Sequence, residues 1–137
     1  MDLREMLDTI ESFIAGLGDK SNIDINNAVF IAEELLGLNV PLKFRGAGRH
    51  GVKSLDLYGI LRDTKPNQRS EEAFRIGKML SECNPRELML MASYLWNEGR
   101  SSLDENEREE AFELLQEKFG VTGKKQVARP SAAVASG

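Results

Sequence analysis

Two residue types that often carry out chemistry occur once each in this chain, as His50 and Cys83. A histidine beside a cysteine could act as the base that activates a thiolate nucleophile. Cys83 nevertheless falls at the end of a predicted helix, and its neighbours form no local signature of a catalytic cysteine. A single imidazole also cannot supply a metal site built from several histidines. We therefore interpret Cys83 as a structural residue.

The glycines of residues 46–51, which read Gly-Ala-Gly-Arg-His-Gly, have the spacing G-x-G-x-x-G. In nucleotide-binding βαβ units such glycines let a phosphate approach the backbone at a helix N-terminus. That chemistry needs a strand before the loop, a strand after the helix and an acid about 20 residues later. Here only the apolar, alternating residues 40–44 suggest a preceding strand. A flexible basic loop is the favoured interpretation.

The densest group of carboxylates lies between Asp104 and Glu117, in a predicted helix where acidic side chains alternate with basic ones. This pattern is typical of a solvent-exposed helical face, and it lacks the spacing of an EF-hand loop. The sequence therefore predicts no catalytic residue, metal or cofactor. It favours a protein that binds other macromolecules without catalysing a reaction.

The net charge of −4 conceals an uneven distribution along the chain. Residues 1–37 have a net charge of −6, residues 38–69 of +5 and residues 70–137 of −3. Faces of opposite charge can attract copies of the same domain or related domains. We therefore predict an adaptor or regulator that assembles through complementary acidic and basic faces. The predicted basic patch comprises Lys43, Arg45, Arg49, Lys53, Arg62 and Lys65.

The same basic segment, residues 43–69, supports an alternative function. Clustered lysines and arginines suit phosphate contacts, and Phe44 and Tyr58 are nearby aromatic residues. The acidic pI of about 5.1 for the whole chain argues against this reading. A helical nucleic-acid-binding protein, or a transcription cofactor of viral type, is the alternative, and a simple solvated basic loop is the third interpretation.

Apolar residues recur at helical spacing along most of the chain, which predicts an all-α bundle of about six helices. The bundle is expected to form a single domain over residues 1–120, with 103–119 a possible extension, followed by a disordered tail over 121–137. The predicted helices span 3–16, 24–37, 52–63, 70–82, 85–97 and 103–119. The predicted core comprises Leu7, Ile10, Ile14, Leu35, Leu55, Leu61, Phe74, Leu80, Leu88 and Leu95.

The length of 137 residues suits one domain that can fold without a metal or a disulfide. A lone cysteine fits a reducing compartment, and no apolar run approaches the ~18 residues of a membrane span. We therefore expect a soluble protein of the cytoplasm or nucleus that does not enter membranes.

From Leu3 to Trp96 the order of helices resembles a death effector domain, a six-helix bundle of the death-fold superfamily. Residues 24–35 (Asp-Ile-Asn-Asn-Ala-Val-Phe-Ile-Ala-Glu-Glu-Leu) are similar to that family's second helix, with its Phe-Leu pair followed by an acid. Residues 54–61 (Ser-Leu-Asp-Leu-Tyr-Gly-Ile-Leu) are similar to its fourth helix. Residues 86–88 (Arg-Glu-Leu) fall near its R-x-D-L motif.

The resemblance implies homotypic assembly, with Phe30 and Ile31 as an exposed apolar patch that inserts into a neighbouring domain. It also implies that Glu34 and Arg86 belong to a surface charge network, next to Glu87 at the motif's acidic position. The helical phasing agrees for Phe30, because it places Val29 and Ala32 inward. The chain departs from the family at the motif, where Arg86 stands one position late, and in the long glycine-rich loop before residue 52.

Overall fold

The computed structural model describes residues 1–98, 100 and 102–122, and it confirms the all-α class. Within these residues the helices are α1 (Leu3–Leu17), α2 (Asn22–Leu35), α3 (Leu55–Leu61), α4 (Glu71–Leu80), α5 (Pro85–Asn97) and α6 (Glu105–Phe119). A short hairpin of β1 (Arg45–Gly46) and β2 (Val52–Lys53) precedes α3, and a 3₁₀ turn (Gly48–His50) connects its strands.

Side-chain caps fix where the helices begin. Ser70 caps α4 by accepting a hydrogen bond from the Ala73 N–H, and Asp104 caps α6 by accepting one from the Glu107 N–H. The predicted start of α2 at residue 24 is wrong. Ser21 is the N-cap and accepts a hydrogen bond from the Asp24 N–H, so α2 begins two residues earlier than predicted and Asp24 lies in its first turn.

Helices α1 and α4 pack against each other at two glycines. A β-carbon at Gly16 would lie 2.0 Å from the carbonyl oxygen of Phe74, and one at Gly77 would lie 2.2 Å from the carbonyl oxygen of Phe13. The two backbones therefore approach more closely than any side chain at these positions would allow. Lys20 adds a contact at the end of α1, where its ammonium donates to the carbonyl oxygens of Ser81 and Cys83.

The second half of the bundle is built around α2, which contacts α3, α4, α5 and the hairpin, while α6 packs on the other side of α5. Residues 24–32 of α2 are all buried. Helices α2 and α5 run in the same direction, because the N-terminal residues of both line one cleft whereas Phe30 contacts Trp96 farther along. A helix that is enclosed on all sides is the centre of its layer.

The predicted core is correct for Ile10, Leu35, Leu80 and Leu88, which are buried. A second group of the predicted residues is only partly buried; it consists of Leu7, Ile14, Leu61, Phe74 and Leu95. The prediction for Leu55 is wrong, since its side chain is 60% exposed and Leu57 is the fully buried residue of α3. Ser54 caps α3, so the helix starts at Leu55 rather than at the predicted residue 52, and Leu55 is its exposed first residue.

The loop before α3 has more structure than predicted. Residues 45–53, expected to be a flexible loop leading into a helix at 52, form the hairpin and its 3₁₀ turn. The register pairs Arg45 with Lys53 and Gly46 with Val52. A two-stranded hairpin of this size is not stable alone in water, so it depends on its contacts with the bundle.

After the last helix, Gly120 ends α6 in a left-handed conformation, which glycine adopts easily. Val121 follows it and is buried, so the domain extends at least one residue into the predicted tail. Residues 123–137 of that tail lie outside the described part of the chain. Among the described residues, no helix combines the length and the apolar character that crossing a membrane requires.

Candidate functional site

The hairpin and the helices beside it enclose a cleft of about 350 Å³, here called the basic cleft. Its lining combines cationic side chains with apolar ones and one tyrosine ring. The lining residues are Ile23, Arg45, Gly46, Ala47, His50, Val52, Lys53 and Tyr58. Ile23 is 39% exposed at the start of α2, so the cleft offers apolar as well as charged contacts.

Arg45 and Lys53 are cross-strand partners in the hairpin and line the same cleft. Residues paired in this way have β-carbons about 4.5–5.5 Å apart, and like charges directly opposite each other destabilise a sheet. In the described part of the chain the ion pairs of the basic segment involve Arg49 and Arg69, not this pair. The register therefore concentrates positive charge at the cleft at a cost to the hairpin.

Two buried asparagines of α2 hold the hairpin in place. Asn27 accepts a hydrogen bond from the Val52 N–H at 2.9 Å, and its amide donates to the His50 carbonyl oxygen at 2.9 Å. Asn26 accepts from the Ser54 N–H at 2.7 Å. These bonds satisfy backbone groups that would otherwise be buried without partners, so the cleft is a fixed feature.

Gly51 makes the asparagine contact possible. Its φ of 93° lies in the left-handed region, and a β-carbon there would come within 2.2 Å of the Asn27 Oδ1. The last glycine of the G-x-G-x-x-G pattern thus serves the packing of the hairpin on α2. Gly46 and Val52 lie on opposite strands of the hairpin and line the cleft. The segment therefore forms a hairpin and not the phosphate-binding loop of a βαβ unit.

A second cleft, of about 480 Å³, lies on the other side of the 3₁₀ turn and shares Ile23 and His50 with the basic cleft. Its arginines are already paired with α6. Arg49 donates to both carboxylate oxygens of Glu107, at 2.9 and 2.7 Å, and Arg86 donates to Glu110 at 2.8 Å. Arg49 also donates to the carbonyl oxygen of Ser102.

The Arg49 contact changes the acidity of its partner. Glu107 accepts hydrogen bonds from the Arg49 guanidinium and from the Asp104 N–H, and together these lower its pKa to about 2. The same carboxylate therefore caps α6 and binds the hairpin turn. Arg49, predicted as part of a free basic patch, is instead neutralised within the chain.

The remaining bases of the predicted patch do not converge. Lys43, Arg62 and Lys65 are exposed, and neither of the two clefts includes them in its lining. The structure thus divides the six predicted bases into a pair at the basic cleft, one residue paired with α6 and three on separate exposed positions.

The predicted exposure of Phe30 and Ile31 is wrong. Phe30 is 6% exposed and Ile31 fully buried. The Phe30 ring lies 5.3 Å from that of Phe44 and 5.9 Å from that of Trp96, measured between ring centroids. Phe30 and Ile31 therefore lie in the interior between α2, α5 and the segment that enters the hairpin, and they cannot form an exposed patch in this fold.

The charge network expected between Glu34 and Arg86 is also not formed. Arg86 lies at the N-terminal end of α5 and pairs with Glu110, whereas Glu34 lies in the last turn of α2. Because α2 and α5 run in the same direction, these positions are at opposite ends of the layer. Glu87 accepts a hydrogen bond from the Asn84 N–H and completes the capping box of α5.

Comparison of the chain with family models, with curated proteins and with solved structures found no match.

Cys83 and His50, the two residues considered for catalysis, lie in different environments. Cys83 is buried, and burial raises the pKa of its thiol, which disfavours a reactive thiolate. His50 is exposed at the rim of both clefts. Among the described residues, no group of three or more His, Cys, Asp or Glu side chains could hold a metal ion.

Sequence reasoning missed Ile23, Asn26 and Asn27. The two adjacent asparagines lie within an otherwise apolar helix, at positions where a polar side chain is expected only if it has a buried partner. That mismatch is the signal that the sequence offers for these two residues. Ile23 offered no signal, because an isoleucine in the first turn of a helix is ordinary.

Glu33, near the C-terminal end of α2, should make stability depend on pH. Burial, and secondarily the charge of Glu34, raise its pKa to about 8 from the ordinary value of 4.5. The folded state therefore holds the proton more tightly, so stability is fully present below pH 4.5 and falls as the pH rises to about 8. After allowance for the partial exposure of Glu33, the loss should be about 1–2 kcal/mol.

Urea titrations at several pH values check this expectation. Glu33→Gln should flatten the dependence between pH 5 and pH 8, whereas Glu34→Gln, which removes only the secondary cause, should retain most of it. An unchanged slope in Glu33→Gln would show that another group is responsible.

Proposed function

We propose that this chain is a non-catalytic protein-interaction module, an adaptor or regulator, that binds acidic protein surfaces through the basic cleft. The observation that carries the proposal is the cross-strand pair of Arg45 and Lys53 beside the exposed side chain of Ile23. Complementary charge steers association and fixes register, while apolar contacts at the same place contribute affinity.

The like-charge pair supports an anionic partner. Two cations opposite each other cost a hairpin about 0.2–1 kcal/mol, and a bound carboxylate would remove that repulsion. Sequences often depart from such local rules at functional sites. The hydrogen bonds that Asn27 and Asn26 accept from the Val52 and Ser54 N–H groups keep the pair in place, so less conformational entropy is lost on binding.

The composition of the cleft favours a protein over a nucleic acid. Ile23 and Tyr58 give it apolar and aromatic walls that suit side chains. The neighbouring cleft holds Asp24, and its two arginines are paired with Glu107 and Glu110. A nucleic-acid backbone extending past the basic cleft would meet these carboxylates, and duplex DNA carries one negative charge per ~1.7 Å.

The resemblance to a death effector domain stays a prediction, and the proposal does not depend on it. Assembly through charged faces agrees with that resemblance. The apolar pair it assigns to the interface, Phe30 and Ile31, is buried and does not support the proposal.

The fluorescence of Trp96 can be used to measure binding at the basic cleft. This residue is the only tryptophan in the sequence, and its indole Nε1 lies 3.1 Å from where a β-carbon of Gly46, a residue of the cleft lining, would be. We expect its fluorescence to change when the protein is titrated with a synthetic helical peptide that carries glutamates one turn apart with leucines beside them. Binding should weaken as salt rises, because salt screens exposed charges.

Arg45→Glu with Lys53→Glu should weaken peptide binding about tenfold or more, because repulsion replaces attraction at the cleft. Arg62→Glu with Lys65→Glu is the matched control, with the same change of charge at exposed positions outside the cleft. Equal affinity of both variants for the peptide would contradict the proposal. The proposal would also be contradicted if the wild type bound oligothymidylate but not the peptide, and the cleft variant lost that binding. This result would support the nucleic-acid alternative.

A further inference from the structure

We infer that the acidic partner is a second copy of this chain, whose helix α6 presents its outer glutamates to the Arg45 and Lys53 pair. The inference rests on the proposed function of the basic cleft. It adds the identity of the partner and the surface by which the partner binds.

The outer face of α6 carries a continuous row of exposed carboxylates, here called the acidic stripe. Its members are four residues apart: Glu105, Glu109, Glu113 and Glu117. The stripe lies away from Ala111 and Leu115, which are buried against the bundle. Like charges one turn apart on a helix repel each other, so α6, like the hairpin, holds an unfavourable arrangement that a partner of opposite charge would relieve.

The spacings of the two charged surfaces match. Residues four apart on a helix have β-carbons about 5–6 Å apart. Cross-strand partners such as Arg45 and Lys53 have β-carbons about 4.5–5.5 Å apart. Two successive glutamates of the stripe can therefore face the two bases at once. In contrast, an anion with a single charge would neutralise only one of them at close range.

The acidic stripe is directed away from the α6 contacts already made within one chain. Glu107 and Glu110 are the α6 carboxylates that form ion pairs in the described structure, with Arg49 and Arg86. Residues 107 and 109 are about 200° apart around a helix axis. Glu109 thus points away from the hairpin of its own copy, which leaves the stripe for the hairpin of another.

Both surfaces also have an apolar neighbour. Beside the stripe, a cleft of about 300 Å³ is lined by Tyr94 and Phe112 together with Glu105, Arg108 and Glu109. Beside the bases, Ile23 is 39% exposed. The basic cleft and the stripe are different surfaces, so their contact is head-to-tail and builds a ring or an open chain rather than a two-fold dimer.

Sedimentation velocity at low and high salt tests the inference with two variants. The cleft variant is Arg45→Glu with Lys53→Glu, and the stripe variant is Glu109→Lys with Glu113→Lys. The stripe changes place opposite charges one turn apart from Glu105 and Glu117, which supports the helix, so lost association cannot be attributed to unfolding. Asp19→Lys with Glu82→Lys, at exposed positions outside α6, is the control of equal charge.

Wild type and the control should associate at low salt and dissociate at high salt. Each variant alone should be monomeric, and an equimolar mixture of the two should associate again, because one retains an intact stripe and the other an intact cleft. A monomeric wild type at low salt, or a mixture that stays monomeric, would overturn the second-copy inference. If the wild type is monomeric but binds the acidic peptide through the cleft, the proposed function stands and only the partner is wrong.

Discussion

Truncation of the Phe30 ring in Phe30→Ala is expected to lower the free energy of unfolding by about 3–5 kcal/mol. The ring is 6% exposed and packs against the rings of Phe44 and Trp96, so its removal leaves a cavity that the surrounding helices can close only in part. A loss of this size is a large share of the stability of an ordinary domain.

Leu55→Ala is the matched control for Phe30→Ala. Leu55 is 60% exposed, and its truncation should change stability by less than about 0.5 kcal/mol. Chemical denaturation followed by circular dichroism compares the two variants with the wild type. Equal stability of Phe30→Ala and wild type would contradict the packing described for α2. A large loss in Leu55→Ala would contradict the phase of α3.

Gly77→Ala is expected to destabilise the protein by about 3 kcal/mol or more, although alanine is the better helix former. The added β-carbon would stand 2.2 Å from the carbonyl oxygen of Phe13 and 2.8 Å from the backbone nitrogen of Leu17. Both atoms belong to the backbone of α1 and cannot move aside as a side chain would. The two helices must therefore separate along their whole contact.

Gly59→Ala tests the same substitution where there is space. Gly59 lies within α3, and beyond its chain neighbours and the backbone of its own helix a β-carbon there would meet no atom within 4 Å. We expect a neutral or stabilising effect of about 0.5–1 kcal/mol from the helix propensity of alanine. Thermal melts of both variants separate propensity from packing, and similar melting temperatures would argue against the close approach of α1 and α4.

The helices were predictable because each carries a long periodic pattern or a clear cap. Helices α4 and α6 begin within two residues of the predicted starts at 70 and 103, and the other boundaries differ by at most a few residues. The prediction of which face of each helix is buried was less accurate. In α2 the polar residues Asn26 and Asn27 are buried, so its polar residues do not mark the exposed face. A division of α2 into apolar and polar faces therefore placed Phe30 wrongly at the rim.

The charge of the basic segment was visible in the sequence, whereas its division was not. The hairpin register sets Arg45 opposite Lys53, and strands of two residues leave no alternating pattern from which to read that register. The pairing of Arg49 with Glu107 joins residues 58 positions apart, which local patterns do not reveal. The sequence therefore indicates which charges exist, and the tertiary contacts determine which remain available.

The attachment of the hairpin to α2 also has a consequence for how the protein opens. The N–H groups of Val52 and Ser54 donate to asparagine side chains of the central helix, and both residues are almost fully buried. Their amide protons can exchange with solvent only when the hairpin leaves α2, which breaks these bonds and uncovers the interior beneath. The hairpin that lines the basic cleft and the core thus belong to one cooperative unit. Amide exchange at residues 52 and 54 should be as slow as in the middle of α2, unlike that of an ordinary surface loop.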